Sequence, residues 1–240
     1  MAESAVGDSW AVRFGLGDHE LVSFVGAGGK TTLMLAIGRE LSQAGHRVVI
    51  TTTTRMSVDE VDPPVVDSIR AVEANLNRRP GPLFVAKPAP ESKVTGPTPA
   101  EINALFRESS AHYVLVEADG AQGRSLKAPA DFEPVIPSAS TIVALVAGAD
   151  AIGASIATAC HRPERVAKLL NRPVTHQLEV SDVAKVLTSA AGGLKDVPAA
   201  ARVVVAVTKV TSGNIEAARQ LSLLVAKDPD VERVLVVPYR

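Results

Sequence analysis

Lys30, Thr31 and Thr32 follow directly on Gly26, Gly28 and Gly29, and the apolar run Val22–Val25 leads into those glycines. Glycines at a strand end let the backbone turn its N–H groups around an anion. A lysine just beyond can reach terminal phosphates, and a following threonine hydroxyl can meet a magnesium ion. The helix expected after the glycines brings its positive dipole end to the same anion. Gly26, Ala27, Gly28, Gly29, Lys30, Thr31 and Thr32 are therefore the expected nucleotide-phosphate contacts. The long pattern G-x-x-x-x-G-K-[ST] would need glycine at position 24, where Phe24 stands, so the match is to the shorter G-x-G-G-K-T-T.

A second chemical constellation is Val114-Leu115-Val116-Glu117-Ala118-Asp119-Gly120, an apolar strand ending in two carboxylates one residue apart. Carboxylates at the C-terminal end of a parallel strand face the ligand crevice and can hold magnesium directly or through water. Thr31, Glu117 and Asp119 are the expected metal side, and which carboxylate points to the metal is open at this stage. Capping of a helix or loop by Asp119 is the plainer alternative. The next segment, Gly120 to Pro129, carries Arg124 and Lys127 beside those carboxylates. Either cation can neutralise charge during transfer, and a solvated loop is the competing reading. The expected catalytic set is Lys30, Asp119, Arg124 and Lys127.

Thr51 to Thr54 end another strand where such a crevice opens, so one of them could touch magnesium or phosphate, although threonine is also a good strand residue. Near the C-terminus, Val203 to Val207 leads into Thr208-Lys209-Val210-Thr211. GTP-binding proteins carry N-K-x-D at this place, and the missing carboxylate at position 211 removes the usual reader of the guanine edge. Lys209 can still pack its stem along a base. His19, His46, His112, His161 and His176 show no metal-ligand spacing. Cys160 could serve as a reactive thiol, but a buried inert cysteine is the preferred reading.

These residues need a scaffold that brings strand ends together. Short β-branched runs alternate with helical periodicity, the pattern of parallel strands joined by crossover helices. The expected strands are Leu21–Val25, Arg47–Thr52, Leu83–Ala86, Tyr113–Glu117, Thr141–Val146, Val203–Val207 and Val234–Val237. Most are apolar on both faces and so belong inside a covered sheet. Helices are expected over Thr31–Ala44, Thr98–Ser109, Arg162–Leu170, Ser181–Ala190 and Asn214–Ala226, with Gly45 ending the first and Ser181 capping the fourth. Lys87 to Pro99, rich in proline, reads as a surface loop or lid. The fold class is α/β: a three-layer, P-loop NTPase-like arrangement with a mostly parallel sheet and helices on both faces, in one domain over 1–240.

Charge limits the partners. Twenty-five basic side chains against 26 acidic ones leave no field of either sign to attract nucleic acid or an anionic membrane. The low-charge stretch Ile136–Cys160 carries Asp150, which would cost about 2.5 to 3.5 kcal/mol in a bilayer, so it reads as a buried strand followed by a loop. A lone cysteine and an acidic, mixed N-terminus make the cytoplasm the expected location.

Four segments together, G-A-G-G-K-T-T (Gly26 to Thr32), T-T-T-T-R-M (Thr51 to Met56), E-A-D-G-A-Q-G-R-S-L-K-A-P (Glu117 to Pro129) and C-H-R-P-E-R-V (Cys160 to Val166), resemble the YqeC-type selenium cofactor biosynthesis family. Its members are known as accessory proteins of selenium-dependent molybdenum hydroxylases. The resemblance implies a nucleotide-binding protein, using ATP or GTP with Mg2+, whose partners are a molybdenum hydroxylase or its cofactor-maturation proteins. Gly26, Gly28, Gly29, Lys30 and Thr31 carry over as the phosphate site, and Glu117 and Asp119 as the metal side. The expected activity is triphosphate hydrolysis or phosphoryl transfer. The alternatives are a Mur-type ATP-dependent ligase, for which the chain is short, and a non-enzymatic, nucleotide-switched chaperone.

Overall fold

Runs of Val, Ile and Leu become strands here because both of their faces find cover. A computed structural model describes residues 9–61, 65–76 and 81–238. In chain order the strands are β1 (Glu20–Gly26), β2 (Val48–Thr52), β3 (Arg55–Ser57), β4 (Val65–Val66), β5 (Leu83–Val85), β6 (Lys87–Ala89) and β7 (Lys93–Thr95). They continue with β8 (Tyr113–Glu117), β9 (Leu126–Lys127), β10 (Ile142–Gly148), β11 (Cys160–His161), β12 (Arg202–Val210) and β13 (Arg233–Pro238). The helices are α1 (Trp10–Phe14), α2 (Lys30–Gln43), α3 (Ile69–Leu76), α4 (Pro99–Glu108), α5 (Ile156–Ala159), α6 (Pro163–Leu170), α7 (Val180–Leu187) and α8 (Ile215–Val225).

Eight strands form one sheet in the order β13-β12-β10-β1-β8-β2-β5-β4, and every pairing in it is parallel. Alternate side chains of each strand point to opposite faces. Val22, Phe24, Ile50 and Leu115 pack on one face against Leu33, Met34, Ile37 and Leu41 of α2. Leu21, Val49 and Val114 pack on the other against Val72 of α3 and Ile102 and Leu105 of α4. On that same face Val143, Val205 and Val207 meet Val166, Val183 and Leu221 of α6, α7 and α8. Each such side chain, fully buried, contributes about 1.5 to 3 kcal/mol relative to exposure. The result is the expected three-layer α/β fold with helices on both faces of a parallel sheet.

The topology places β1 between β8 and β10, with Phe24 opposite Glu117 and Gly26 opposite Val146. The carboxyl ends of these three strands therefore meet at one point. All seven expected strands are present, as are the five expected helices, and Gly45 takes φ +89° just past the end of α2.

Three local expectations need correction. Glu179, not Ser181, caps α7: its backbone carbonyl accepts from the Asp182 N–H at 3.1 Å, and the Asp182 carboxylate accepts from the Glu179 N–H at 3.0 Å. The segment 87–99 is not a plain loop, because β6 and β7 form a small antiparallel sheet with β3. Pro88 is tolerated because β6 is an edge strand of that sheet. The stretch after β10 is not all loop either, holding one 3-10 turn over Ala149–Ala151 and the short α5.

Candidate functional site

The turn between β1 and α2 exists because three glycines adopt left-handed backbone: φ is +96° at Gly26, +94° at Gly28 and +98° at Gly29. A Cβ on Gly26 would lie 2.4 Å from the Val146 carbonyl oxygen, and one on Gly28 would lie 2.2 Å from the Gly148 nitrogen. The loop is thus pressed onto the end of β10, held by Ala27 N–H to Val146 O at 2.9 Å and Gly28 N–H to Arg124 O at 2.8 Å. Those two amides and that of Gly26 are engaged by the protein itself. The donors left for a ligand are at the head of α2, whose first N–H groups have no intrahelical partner. No side chain caps that helix.

Lys30, the first residue of α2, is 3% exposed and folded back onto the loop. Its ammonium donates to Gly26 O at 2.7 Å and pairs with Asp119 Oδ1 at 3.2 Å. Both Asp119 oxygens accept from the Gly26 N–H at 3.1 Å. Asp119 Oδ2 also meets Lys127 Nζ at 3.0 Å, and Lys127 in turn contacts Glu133 Oε2 at 2.9 Å and Gly120 O at 2.6 Å. Arg162 completes the row with a 3.0 Å contact to Glu133 Oε1. Burial works against the Glu133 carboxylate, but hydrogen bonds from Arg162 and Lys127 and the Lys127 charge override it and hold its pKa at about 2.

Lys127 thus has a fully enclosed side chain whose ammonium is spent on two carboxylates and a carbonyl. It touches the site through Asp119 and does not face the crevice. Arg124 is exposed beside the loop, with its guanidinium donating to Thr158 O.

Thr31 settles the geometry of the other carboxylate. Its hydroxyl donates to Glu117 Oε2 at 2.6 Å, so Glu117 and Thr31 stand together on one side of Lys30 and Asp119 on the other. A threonine hydroxyl and a carboxylate are hard oxygen donors of the kind magnesium takes alongside phosphate and water. Thr32 continues α2, exposed on the helix surface.

The end of β12 lies against the same loop. Thr208 is buried, and its hydroxyl donates to Gly28 O and contacts Ala147 O at 3.1 Å. Lys209 takes φ +53° and sends Nζ to Ser125 Oγ at 2.8 Å and Asp150 Oδ2 at 3.3 Å. Sequence reading missed Glu133, Arg162 and Asp150 as neighbours of the site, because each comes from a different loop and no local spacing links them.

Thr51, Thr52 and Thr53 turn out to brace strand ends. Their hydroxyls donate to Val85 O at 2.7 Å, Glu117 O at 3.0 Å and Val135 O at 2.8 Å. Cys160 is buried on β11 and burial pushes its thiol up to about 12, against a weaker pull from Arg124, so it stays protonated. A cavity of about 290 Å³, lined by residues such as Arg70, Lys87 and Glu101, lies beside β5 and contains none of the residues named for chemistry. No helix among the described residues is long and apolar enough to cross a membrane.

Comparison with known proteins bears on the same segments. Among solved structures, the chain is similar to HypB from Helicobacter pylori in complex with nickel, at 10% identity and a TM-score of 0.34, over 92% of this chain and 79% of that one. It is 36% identical over 186 residues to the uncharacterized protein YqeC of Escherichia coli (strain K12), covering 76% of this chain and 73% of that protein. The model of the YqeC protein family matches residues 22–164, a span that contains the glycine turn, both carboxylates of β8 and its following loop, and the Lys127–Glu133–Arg162 row. The chain belongs to the YqeC protein family.

Proposed function

We propose that the chain is a magnesium-dependent P-loop protein that binds a nucleoside triphosphate and hydrolyses it or transfers its terminal phosphoryl group. One observation carries this reading: Lys30 and Thr31, adjacent at an uncapped helix head behind three left-handed glycines, are each held by a separate carboxylate at the end of β8. A lysine at a helix N-terminus is unfavourable against the dipole, and here the Asp119 carboxylate offsets its charge. In this reading Lys30 leaves Gly26 O to hold the β and γ phosphates, and the N–H groups at the head of α2 receive their oxygens.

Thr31 and Glu117 would hold magnesium, which when bound neutralises charge on the phosphates. Asp119 orients Lys30 and the Gly26 amide, and Lys127 acts by fixing Asp119. In this reading exposed Arg124 would leave Thr158 O to meet a transferred phosphoryl group. Turnover of ATP and GTP by the wild type and by Lys30→Ala tests the reading: at least a hundredfold loss is expected on the scale of a lost phosphate clamp, about 3 kcal/mol, and equal turnover overturns it.

The family resemblance supports, as part of this proposal, a role in the maturation of selenium-dependent molybdenum hydroxylases, with a hydroxylase or its maturation proteins as proposed partners and the cytoplasm as the proposed location. A second reading, a nucleotide-switched accessory protein, is favoured by the ion row that runs from buried Lys30 to partly exposed Arg162. Phosphate drawing Lys30 away from Asp119 would alter charge along that row. Capture of a hydroxylase subunit that differs between ADP and a non-hydrolysable triphosphate supports the switch, and identical capture in both states rules it out.

A further inference from the structure

The end of β12 and the turn after β10 form a pair of walls one residue away from the glycine loop. Gly148 connects them: its nitrogen lies 2.2 Å from where a Cβ on Gly28 would be, and its own Cβ would lie 3.1 Å from Lys209 Cδ. The Lys209 stem is thus separated from the phosphate loop by the backbone of a single residue. Thr208 fixes that spacing through its bond to Gly28 O.

Lys209 is also immobilised. A non-glycine residue at φ +53° is held there only when its surroundings insist. Asn214 supplies part of that, donating from Nδ2 to Lys209 O at 3.2 Å and accepting from the Thr211 N–H at 2.7 Å. Ser125 and Asp150 hold the other end of the side chain at 2.8 and 3.3 Å. A stem fixed over a loop end offers a flat apolar edge for a planar ring. The carboxylate at its tip has 46% of its surface exposed and most of its acceptor capacity unspent by one long contact to Lys209.

We propose that Asp150 is the base-reading carboxylate of this site and that it makes the site select guanine over adenine, an inference that rests on the nucleotide reading given above. Guanine presents two adjacent N–H donors, N1–H and N2–H, which one carboxylate accepts together. Adenine presents a ring-nitrogen lone pair beside a single amino group, and a carboxylate repels that lone pair. Thr211 occupies the place where a carboxylate following Lys209 would serve; Asp150 supplies the same charge from the neighbouring strand end.

Equilibrium titration of the full chain with GDP, ADP and xanthosine diphosphate, in the wild type, Asp150→Ala, Asp150→Asn and Lys30→Ala, tests this. The wild type is expected to prefer GDP over ADP by at least about tenfold, and Asp150→Ala to bring that ratio near one. Asp150→Asn, whose amide can donate to the xanthine 2-oxo group, is expected to move preference from GDP to xanthosine diphosphate, which misfolding cannot produce. Wild-type preference for ADP, equal binding of ADP and GDP, or an unchanged ratio in both Asp150 variants overturns the assignment while leaving nucleotide binding intact. Failure of the wild type to bind any of the three, or equal binding by Lys30→Ala, overturns the nucleotide reading itself and this inference with it.

Discussion

Glu117 and Asp119 differ by two positions and have different partners, and that separation is what a substitution will reveal. Thr31 donates to Glu117 while Lys30, Lys127 and the Gly26 amide surround Asp119. Glu117→Gln is expected to raise the magnesium concentration needed for half-maximal turnover by about tenfold or more, because a charged ligand is lost. Asp119→Asn is expected to leave that magnesium dependence in place and lower turnover, because it disturbs Lys30. A magnesium titration of both variants separates the roles. Sequence named both acids but could not divide them, since the strand ends between them and only the position of Thr31 decides which one faces it. Glu133 gives a pH signature. Its folded pKa of about 2 lies below the ordinary value of 4.5, so its contribution is fully present above pH 4.5 and is lost as pH falls toward 2. The shift corresponds to roughly 3 kcal/mol. Urea midpoints measured across that window are expected to fall more steeply for the wild type than for Glu133→Gln.

The turn between β1 and α2 is legible as an element because its signal is local: apolar strand, glycines, lysine, helix. Its cost is also local and differs by residue. Gly28→Ala sets a Cβ against the β10 backbone in a left-handed conformation, and roughly 3 kcal/mol or more of destabilisation is expected. Gly29→Ala meets nothing within 4 Å and keeps only the strain of φ +98°, roughly 1 kcal/mol. Thermal midpoints of the two variants rank them. The small sheet β3-β6-β7 was hidden because Pro88 and Pro90 read as loop residues, whereas an edge strand tolerates proline. The α7 cap was misplaced because Glu179 does the work usually given to serine, and β4 is two residues long, too short to show a period.

Across the whole molecule, five charged side chains from α2, the loop after β8, β9, the loop before β10 and the head of α6 meet in one mostly buried row, and no sequence pattern can announce such a meeting. Its energetics are asymmetric. Removing Lys127 takes away the buried cation that Asp119 and Glu133 share and leaves them only Lys30 and Arg162, so Lys127→Met is expected to cost about 3 kcal/mol in chemical unfolding. Arg165→Ala, which breaks a solvent-facing pair with Asp131, is expected to leave the midpoint unmoved. The parallel sheet itself was readable from its doubly apolar strands, but the neighbour relations of β1 with β8 and β10, which assemble the site, follow from topology alone.

The two outer margins of that sheet carry a further consequence. On one side the described residues of β4 offer two residues of open ladder. On the other, β13 reaches Pro238, which has no N–H to give, and α1 is clipped alongside it by Arg13 donating to Val236 O at 2.9 Å and Arg233 donating to Val12 O at 2.9 Å. Unpaired strand edges are the templates on which β proteins aggregate. Among the described residues, the eight-stranded, Val-rich sheet thus shows little open ladder on which another strand could template itself.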